Sequence, residues 1–166
     1  TLESLFVTPV RSWEILLAKA LNNFALAIIG LSLALLFARC VFGVPIRGTV
    51  FILLAVSALY LLVMLGVGLL ISSVSRNQFI ACQMSLFFTF MPAFMLSGFF
   101  YDIGNMPQAV QWITYIVPAR YYVTLMQTLF LAGDIWSVIL PNALILAAIA
   151  VLMLCLAWWK TPKRLE

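Results

Sequence analysis

The sequence is dominated by four long, mostly apolar runs that contain no charged side chain. They are Leu21–Ala38, Thr49–Ser75, Gln78–Tyr101 and Ile135–Trp159. A helix rises about 1.5 Å per residue, so runs of this length cross a hydrocarbon core of about 30 Å. The pattern therefore predicts a helical membrane protein. The predicted spans cover residues 20–39, 49–74, 78–101 and 135–159.

Composition supports a membrane protein and excludes an ordinary soluble domain. Hydrophobic residues make up 66% of the chain and charged residues 8%, with a mean hydropathy of +1.18. Soluble domains are about half apolar and about one quarter charged. The net charge of +4 lacks the clustered basic face that nucleic-acid binding needs, so no nucleic acid is expected as a partner. Three isolated cysteines have no metal-binding spacing and are interpreted as packing residues.

Basic residues predict the orientation of the spans. With the N-terminus inside, six basic residues face the cytoplasm: Arg11, Lys19, Arg76, Lys160, Lys163 and Arg164. Three then face outwards: Arg39, Arg47 and Arg120. This bias follows the positive-inside rule, so both chain ends are predicted to be cytoplasmic.

The stretch between the last two predicted spans is apolar but interrupted. Pro107, Pro118 and Arg120 divide it, and a fifth span here would place the basic C-terminal tail outside. We therefore predict two short helices over residues 105–133 that dip into the outer leaflet, the first beginning at Met106 and Pro107. Arg120 has two interpretations: an ion pair with an outer aspartate, or an interfacial side chain that reaches the headgroups.

Glycines and prolines predict local features of the spans. Gly43 and Pro45 mark a turn between the first two spans, and Pro92 should kink the third. Gly66 and Gly68 are expected to let a neighbouring helix approach the second span closely.

Residues 1–19 predict a short amphipathic helix along the cytoplasmic surface, a turn, and the start of the first span. Leu2, Leu5 and Phe6 form its apolar side, and Thr8 with Pro9 is a helix-start signal. From these residues alone, an interfacial anchor and a lever docked on a cytosolic partner are equally supported.

Several short motifs occur in an order that resembles the ABC-2 type transporter permeases of the drug-export branch. These motifs are Thr1–Leu5 with Thr8–Val10, Gly43–Gly48, Gly66–Ser72, Arg76–Gln78, Met95–Phe99, Met106–Pro107, Tyr115–Tyr121 and Leu129–Gly133. The resemblance covers essentially the whole chain. It implies an all-α, polytopic transmembrane helical bundle with a cytoplasmic coupling helix and an outer re-entrant helix pair.

The resemblance also implies partners that this chain lacks. Family members have six spans per permease half, so this chain, which begins at Thr1 rather than Met, is expected to hold the last four. They work as two permease halves, identical or different, with two ATP-binding cassette ATPases in the bacterial cytoplasmic membrane. The ATPases would bind ATP and Mg, and this chain would bind no cofactor or metal. Its contacts would be the ATPase, the second half and membrane lipid.

Three groups of candidate site residues follow. The ATPase-coupling group contains Leu2, Glu3, Leu5, Phe6, Thr8, Pro9 and Glu14. The outer gate contains Met106, Pro107, Pro118, Arg120 and Tyr121. A possible substrate path contains Phe87, Phe90, Phe94 and Met95.

Other functions are less compatible with the sequence. An intramembrane enzyme or ion-coupled carrier needs ionisable groups within the bilayer, but the chain has no His and its four long apolar runs have no charge. A channel filter needs a carbonyl-rich glycine repeat or an acidic ring, and neither is present. The remaining alternatives are a membrane scaffold and the membrane domain of a fused protein similar to the ribosome-associated ATPase.

Overall fold

The computed structural model describes residues 12–75 and 77–160, where all regular secondary structure is helical. The α-helices of this part are α1 (Ser12–Cys40), α2 (Val50–Val74), α3 (Gln78–Ser85), α4 (Met91–Met95), α5 (Gln108–Thr114), α6 (Pro118–Gln127) and α7 (Trp136–Lys160). The prediction of an all-α transmembrane bundle is confirmed.

Three helices in the described part of the chain are long and apolar enough to cross a membrane. Their membrane-length segments are Ala20–Cys40, Val50–Val74 and Trp136–Trp159. They lie where the sequence predicts the first, second and fourth spans. Between α1 and α2, Gly43 turns the chain with a φ of 60°, a left-handed conformation that glycine adopts without strain.

The predicted third span is shorter than its apolar run. A π-helical turn, Leu86–Phe90, joins α3 to α4, and the apolar helix covers Phe79–Met95, a length of about 26 Å. The sequence predicts that this span continues to residue 101. The prediction of helix is wrong for its last six residues, 96–101. The helix ends because Gly98 has a φ of 85° and the buried Ser97 Oγ accepts a 3.4 Å hydrogen bond from Phe99 N.

Pro92 is the second residue of α4, which begins directly after the π-helical turn. Proline has no N–H to donate to the carbonyl four residues earlier, so an α-helical ladder cannot continue unchanged through it. Here the Met91 N–H donates to Leu86 O, five residues back, before α4 resumes with Leu96 N donating to Pro92 O. The predicted disturbance of the span is thus a π-helical turn, a common cause of helix kinks.

The packing core lies between α2, α6 and α7. Helices α2 and α7 share the most extensive contact. They run parallel, because Thr49 and Asp134 meet where the two helices start and Gly66 meets Met153 far along both of them. A Cβ on Gly66 would lie 2.9 Å from Met153 Cβ, so the predicted close approach is confirmed there. It is wrong for Gly68, where a Cβ would meet no atom of residues 12–75 or 77–160 within 4 Å.

The two predicted short helices between the last spans correspond to α5 and α6. Helix α6 begins at Pro118, and a π-helical turn, Thr128–Ala132, extends it to Gly133. Helix α6 packs on α2 and α7, whereas most side chains of α5 are exposed. Whether this pair enters the outer leaflet stays a prediction.

Candidate gate and substrate surface

Helix α6 is held against the middle of α2 by two tyrosines and a serine. The Tyr122 ring stacks on Tyr60 with centroids 4.2 Å apart and planes 3° from parallel. The Tyr122 hydroxyl lies 3.1 Å from Ser57 Oγ, which donates to Leu53 O. Apolar side chains of α6, including Leu125, belong to the buried core against which Tyr122 packs.

The far end of α6 is joined to the start of α2 by a set of hydrogen bonds that we call the latch. Gly48 N donates to Leu129 O at 2.8 Å, and Arg47 Nη1 donates to Leu131 O at 3.1 Å. A Cβ on Gly48 would lie 2.9 Å from the Leu129 side chain, so the backbone needs glycine for this approach. The latch comprises Arg47, Gly48 and Thr49 with Leu129, Leu131 and Asp134.

Asp134 is the charged centre of the latch. Its carboxylate accepts from Thr49 Oγ1 at 2.5 Å and from Thr49 N at 2.8 Å. The Thr49 hydroxyl, followed by the Thr49 N–H, holds the pKa of the Asp134 carboxyl below its ordinary value. The Asp134 side chain thereby accepts the backbone N–H of Thr49 at the start of α2 and joins this helix to the loop before α7.

Arg120, in the first turn of α6, contacts the preceding loop. Its Nη1 donates to Thr114 Oγ1, and its Cζ lies 4.0 Å from the Tyr115 ring centroid. The next residue, Tyr121, is buried and donates its hydroxyl proton to Tyr115 O at 2.8 Å. These contacts connect the end of α5 to the start of α6.

The Arg120–aspartate ion pair that the sequence leaves open is not formed. Asp134 is occupied by Thr49, and Asp102 accepts from Gly104 N at 3.1 Å in a local turn. The sequence missed Thr114 and Tyr115 as partners of Arg120. Pro118 lies between them and Arg120, so no helical period predicts their contact.

The remaining gate residues shape the chain around α5. Pro107 precedes α5, and its carbonyl accepts from Val110 N at 2.9 Å. The Met106 carbonyl accepts from Gln111 Nε2 at 2.8 Å, so a side chain satisfies backbone outside a helix. Pro118 is the first residue of α6. The structure therefore gives Met106, Pro107 and Pro118 backbone roles and brings only Arg120 and Tyr121 together.

The proposed substrate path forms an exposed, largely aromatic surface that begins in the π-helical turn Leu86–Phe90 and continues along α4. Phe87, Phe90, Phe94 and Met95 are all exposed. The Phe94 ring stacks on Phe90, with centroids 5.5 Å apart, and lies 4.1 Å from the ring of Phe100. Phe100 was not among the predicted residues, because the sequence places it at the end of a continuous helix.

The ATPase-coupling group falls almost entirely outside the described residues. Leu2, Glu3, Leu5, Phe6, Thr8 and Pro9 precede the described part, and Glu14 is described only as a position in α1. Within residues 12–75 and 77–160, no cluster of three or more His, Cys, Asp or Glu side chains could hold a metal ion.

Comparison with known proteins identifies the family. The model of the ABC-2 type transporter family matches residues 1–131. The chain is 45% identical over all 166 residues to the "Probable multidrug ABC transporter permease YbhS" of Escherichia coli, covering 44% of that protein. It is also 32% identical over 153 residues to the Escherichia coli "Inner membrane transport permease YhhJ", matching 90% of this chain and 40% of that one.

A eukaryotic relative is similar over the same region. The chain is 30% identical over 163 residues to "ABC transporter G family member 20" of Dictyostelium discoideum, covering 93% of this chain and 22% of that protein. No solved structure matches significantly. The chain thus spans less than half the length of these relatives. With the family model matching residues 1–131, the chain belongs to the ABC-2 type transporter family.

Proposed function

We propose that this chain is the membrane-spanning part of an ABC exporter that moves a hydrophobic or amphipathic, drug-like substrate out across the bacterial cytoplasmic membrane. The observation that supports this most is the 45% identity over the whole chain to a probable multidrug ABC transporter permease. The helices agree with it, because three of them are long and apolar enough to span a bilayer.

In this proposal, ATP is hydrolysed by a partner ATPase that binds ATP and Mg. The coupling group, from Leu2 to Glu14, would rest in a cleft of that ATPase. Closure of the ATPase pair around ATP would move this segment, and α1, which continues from it, would transmit the movement to the bundle. A second permease half, identical or different, would complete the pathway.

The substrate surface supports an apolar cargo. Phe90 and Phe94 lie on the same helix with 61% and 44% of their surfaces exposed, and their rings stack. Exposed aromatic rings offer large apolar contact area to an amphipathic molecule. The packed unit of α2, α6 and α7, closed by the latch, would serve as the rigid part against which other helices move.

The test is ATP-dependent export by the full-length permease reconstituted with its ATPase. We expect proteoliposomes to move a hydrophobic fluorescent dye only with ATP and a hydrolysis-competent ATPase. Dye movement driven equally by an ion gradient without ATP would contradict the proposal and favour an ion-coupled carrier.

Coupling is tested by removing single acidic side chains. Glu3→Ala and Glu14→Ala should each lower the dye-stimulated ATP hydrolysis, since both lie in the segment proposed to dock on the ATPase. Glu166→Ala removes an acid from the other end of the chain and is the matched control. Equal stimulation in all three variants would remove the lever from the proposal.

A further inference from the structure

Arg120 is half-buried and lies far from the latch along α6. The Gly48 N–H donates to Leu129 O beside Arg47 and Asp134, two charged residues that mark the surface end. Arg120 precedes Leu129 by nine residues of one continuous helix, which places it about 13 Å further in. The hydrocarbon core is about 30 Å thick, so the re-entrant placement predicted for α5 and α6 would put Arg120 near its middle.

The contact with α2 gives a second measure of this depth. Tyr122, two residues after Arg120, stacks on Tyr60. Tyr60 is the eleventh residue of α2, about 15 Å from the start of that helix. The distances along α6 and along α2 therefore place Arg120 and its neighbour Tyr122 at a similar distance from the latch, about 13 and about 15 Å.

Arg120 is directed further inwards rather than towards the surface. Its two contacts, Thr114 and Tyr115, precede the N-terminal turn of α6, which is the deep end of that helix. Side chains of a helix tilt towards its N-terminus, in agreement with this direction. The interfacial interpretation, in which Arg120 reaches headgroups beside the latch, does not fit this geometry.

The charge of Arg120 lacks a carboxylate partner in the described part of the chain. Asp102 and Asp134 are used by Gly104 and Thr49. A guanidinium has five N–H donors, and Arg120 uses one of them, to Thr114. A charged group at this depth is costly and is retained for function.

A line of hydroxyls leads from Arg120 to the surface end. Thr124 and Thr128 follow at intervals of four residues, so the three side chains lie on one face of α6. Each threonine hydroxyl donates to the carbonyl one turn earlier, at 2.9 and 2.8 Å. These hydroxyls are satisfied by their own helix, and the face that they share with Arg120 is half-buried.

We infer that Arg120 binds the anionic group, a carboxylate or a phosphate, of an amphipathic molecule, while the exposed phenylalanines contact its apolar part. This inference rests on the proposed export function and gives it a substrate class. The planar fork of N–H donors matches either oxyanion, and Thr114 with Tyr115 orients it in advance.

The test compares one dye in two forms, a carboxylate and its methyl ester. In proteoliposomes holding the full-length permease and its ATPase, Arg120→Gln should raise the KM for the carboxylate dye about tenfold or more. The ester should be exported as by the unmodified protein. Arg120→Lys keeps the charge but not the fork, and should give an intermediate KM for the carboxylate.

Arg39→Gln is the matched control. Arg39 is an exposed arginine in the last turn of α1, so this variant loses the same charge elsewhere and should leave both dyes unaffected. Equal impairment of carboxylate and ester by Arg120→Gln would assign Arg120 a structural role and overturn the inference. Unchanged export of both dyes would overturn it as well.

Binding separates this inference from the export function. Fluorescence anisotropy of each dye on the purified full-length permease needs no ATP, so selective loss of carboxylate binding in Arg120→Gln supports the inference even if export fails. If Arg120→Gln binds both dyes as well as the unmodified protein does, the inference is contradicted. Vesicles with and without phosphatidylglycerol show whether Arg120 also binds a lipid phosphate. If it does, this lipid competes with the carboxylate dye for the unmodified protein but not for Arg120→Gln.

Discussion

At the scale of single residues, Asp134 has the most sharply defined environment. Its carboxylate accepts both the N–H and the hydroxyl proton of Thr49, and these bonds favour the charged form. The residue was recognised in the sequence only as a possible partner of Arg120. Thr49 is 85 positions away and polar residues are common at span ends, so no local signal predicts the latch.

The lowered pKa of Asp134 predicts an acid dependence of stability. A carboxyl whose pKa is lower in the folded than in the unfolded protein stabilises the fold fully above its unfolded pKa of about 4. This contribution decreases as the pH falls through the folded value. We therefore expect the thermal unfolding midpoint of the purified protein to fall as the pH is lowered below about 4, and less so in Asp134→Asn.

The comparison needs a second acid as its control. Asp102→Asn removes a carboxylate that accepts one backbone hydrogen bond within its own turn. The unfolding midpoint of Asp102→Asn should fall with pH nearly as it does in the unmodified protein, and more than it does in Asp134→Asn. Superimposable pH profiles for the unmodified protein and Asp134→Asn would show that the latch carboxylate does not stabilise the fold.

Phe94 is the residue of the substrate surface with the most ring contacts. It lies between Phe90 and Phe100, so Phe94→Ala removes two aromatic contacts at once. If the surface binds cargo, this variant should raise the KM for a hydrophobic dye by about 2- to 10-fold with kcat nearly unchanged, the effect of losing about 0.5–1.5 kcal/mol.

Phe51→Ala is the control for that experiment. Phe51 is 79% exposed on α2, near the latch and on a different helix, so its truncation removes a comparable ring elsewhere. An equal rise of KM in both variants would mean that exposed rings act through general contact with lipid.

At the scale of elements, the contact between α2 and α7 depends on one glycine. A Cβ on Gly66 would meet Met153 Cβ at 2.9 Å and the backbone of Met153 and Leu154 at 3.2 Å. Backbone cannot rotate away as a side chain tip does, so Gly66→Ala must push the helices apart. We expect a loss of about 1–3 kcal/mol in the free energy of unfolding.

Gly68→Ala is the matched variant on the same helix. No atom of the described residues lies within 4 Å of its Cβ position, and alanine favours the helix by at most about 1 kcal/mol. Thermal unfolding in detergent should therefore show a lower midpoint for Gly66→Ala and an unchanged or slightly raised one for Gly68→Ala. Equal effects would contradict the packing described for α2 and α7.

The same pair of glycines shows what an element's sequence can predict. Hydrophobic length was sufficient to predict α1, α2 and α7, because a spanning helix needs only a long apolar run. Which glycine meets a neighbour depends on how the helix is rotated, and both candidates lie in the same apolar run. The early end of the third span was missed for a similar reason, since Leu96–Tyr101 is as apolar as the helix before it.

At the scale of the whole molecule, the parallel arrangement of α2 and α7 limits the possible topologies. Their starts are joined through Thr49 and Asp134, so the α1–α2 turn and the beginning of α7 lie at one surface. The number of crossings between them is therefore even. We therefore expect the chain from Ser75 to Asp134 to cross back once, through the apolar helix Phe79–Met95, and we predict that α5 and α6 are re-entrant.

The bundle has a large exposed apolar surface. Side chains such as Leu33 on α1 and Leu144 on α7 are 61% and 62% exposed. Lipid or the remainder of a longer protein suits such a surface, since the chain spans 44% of its relative YbhS. Which faces contact protein was not predictable, because residues that face lipid and residues that face another helix are both apolar.

Cysteine labelling in intact cells tests the re-entrant arrangement most directly. Cys40, Cys82 and Cys155 are replaced by alanine, and single cysteines are introduced at Asn105, before α5, and at Ile135, after α6. The fold predicts that a membrane-impermeant maleimide added outside labels both positions. Labelling of one from outside and of the other only after permeabilisation would make α5 and α6 a complete crossing and contradict the account.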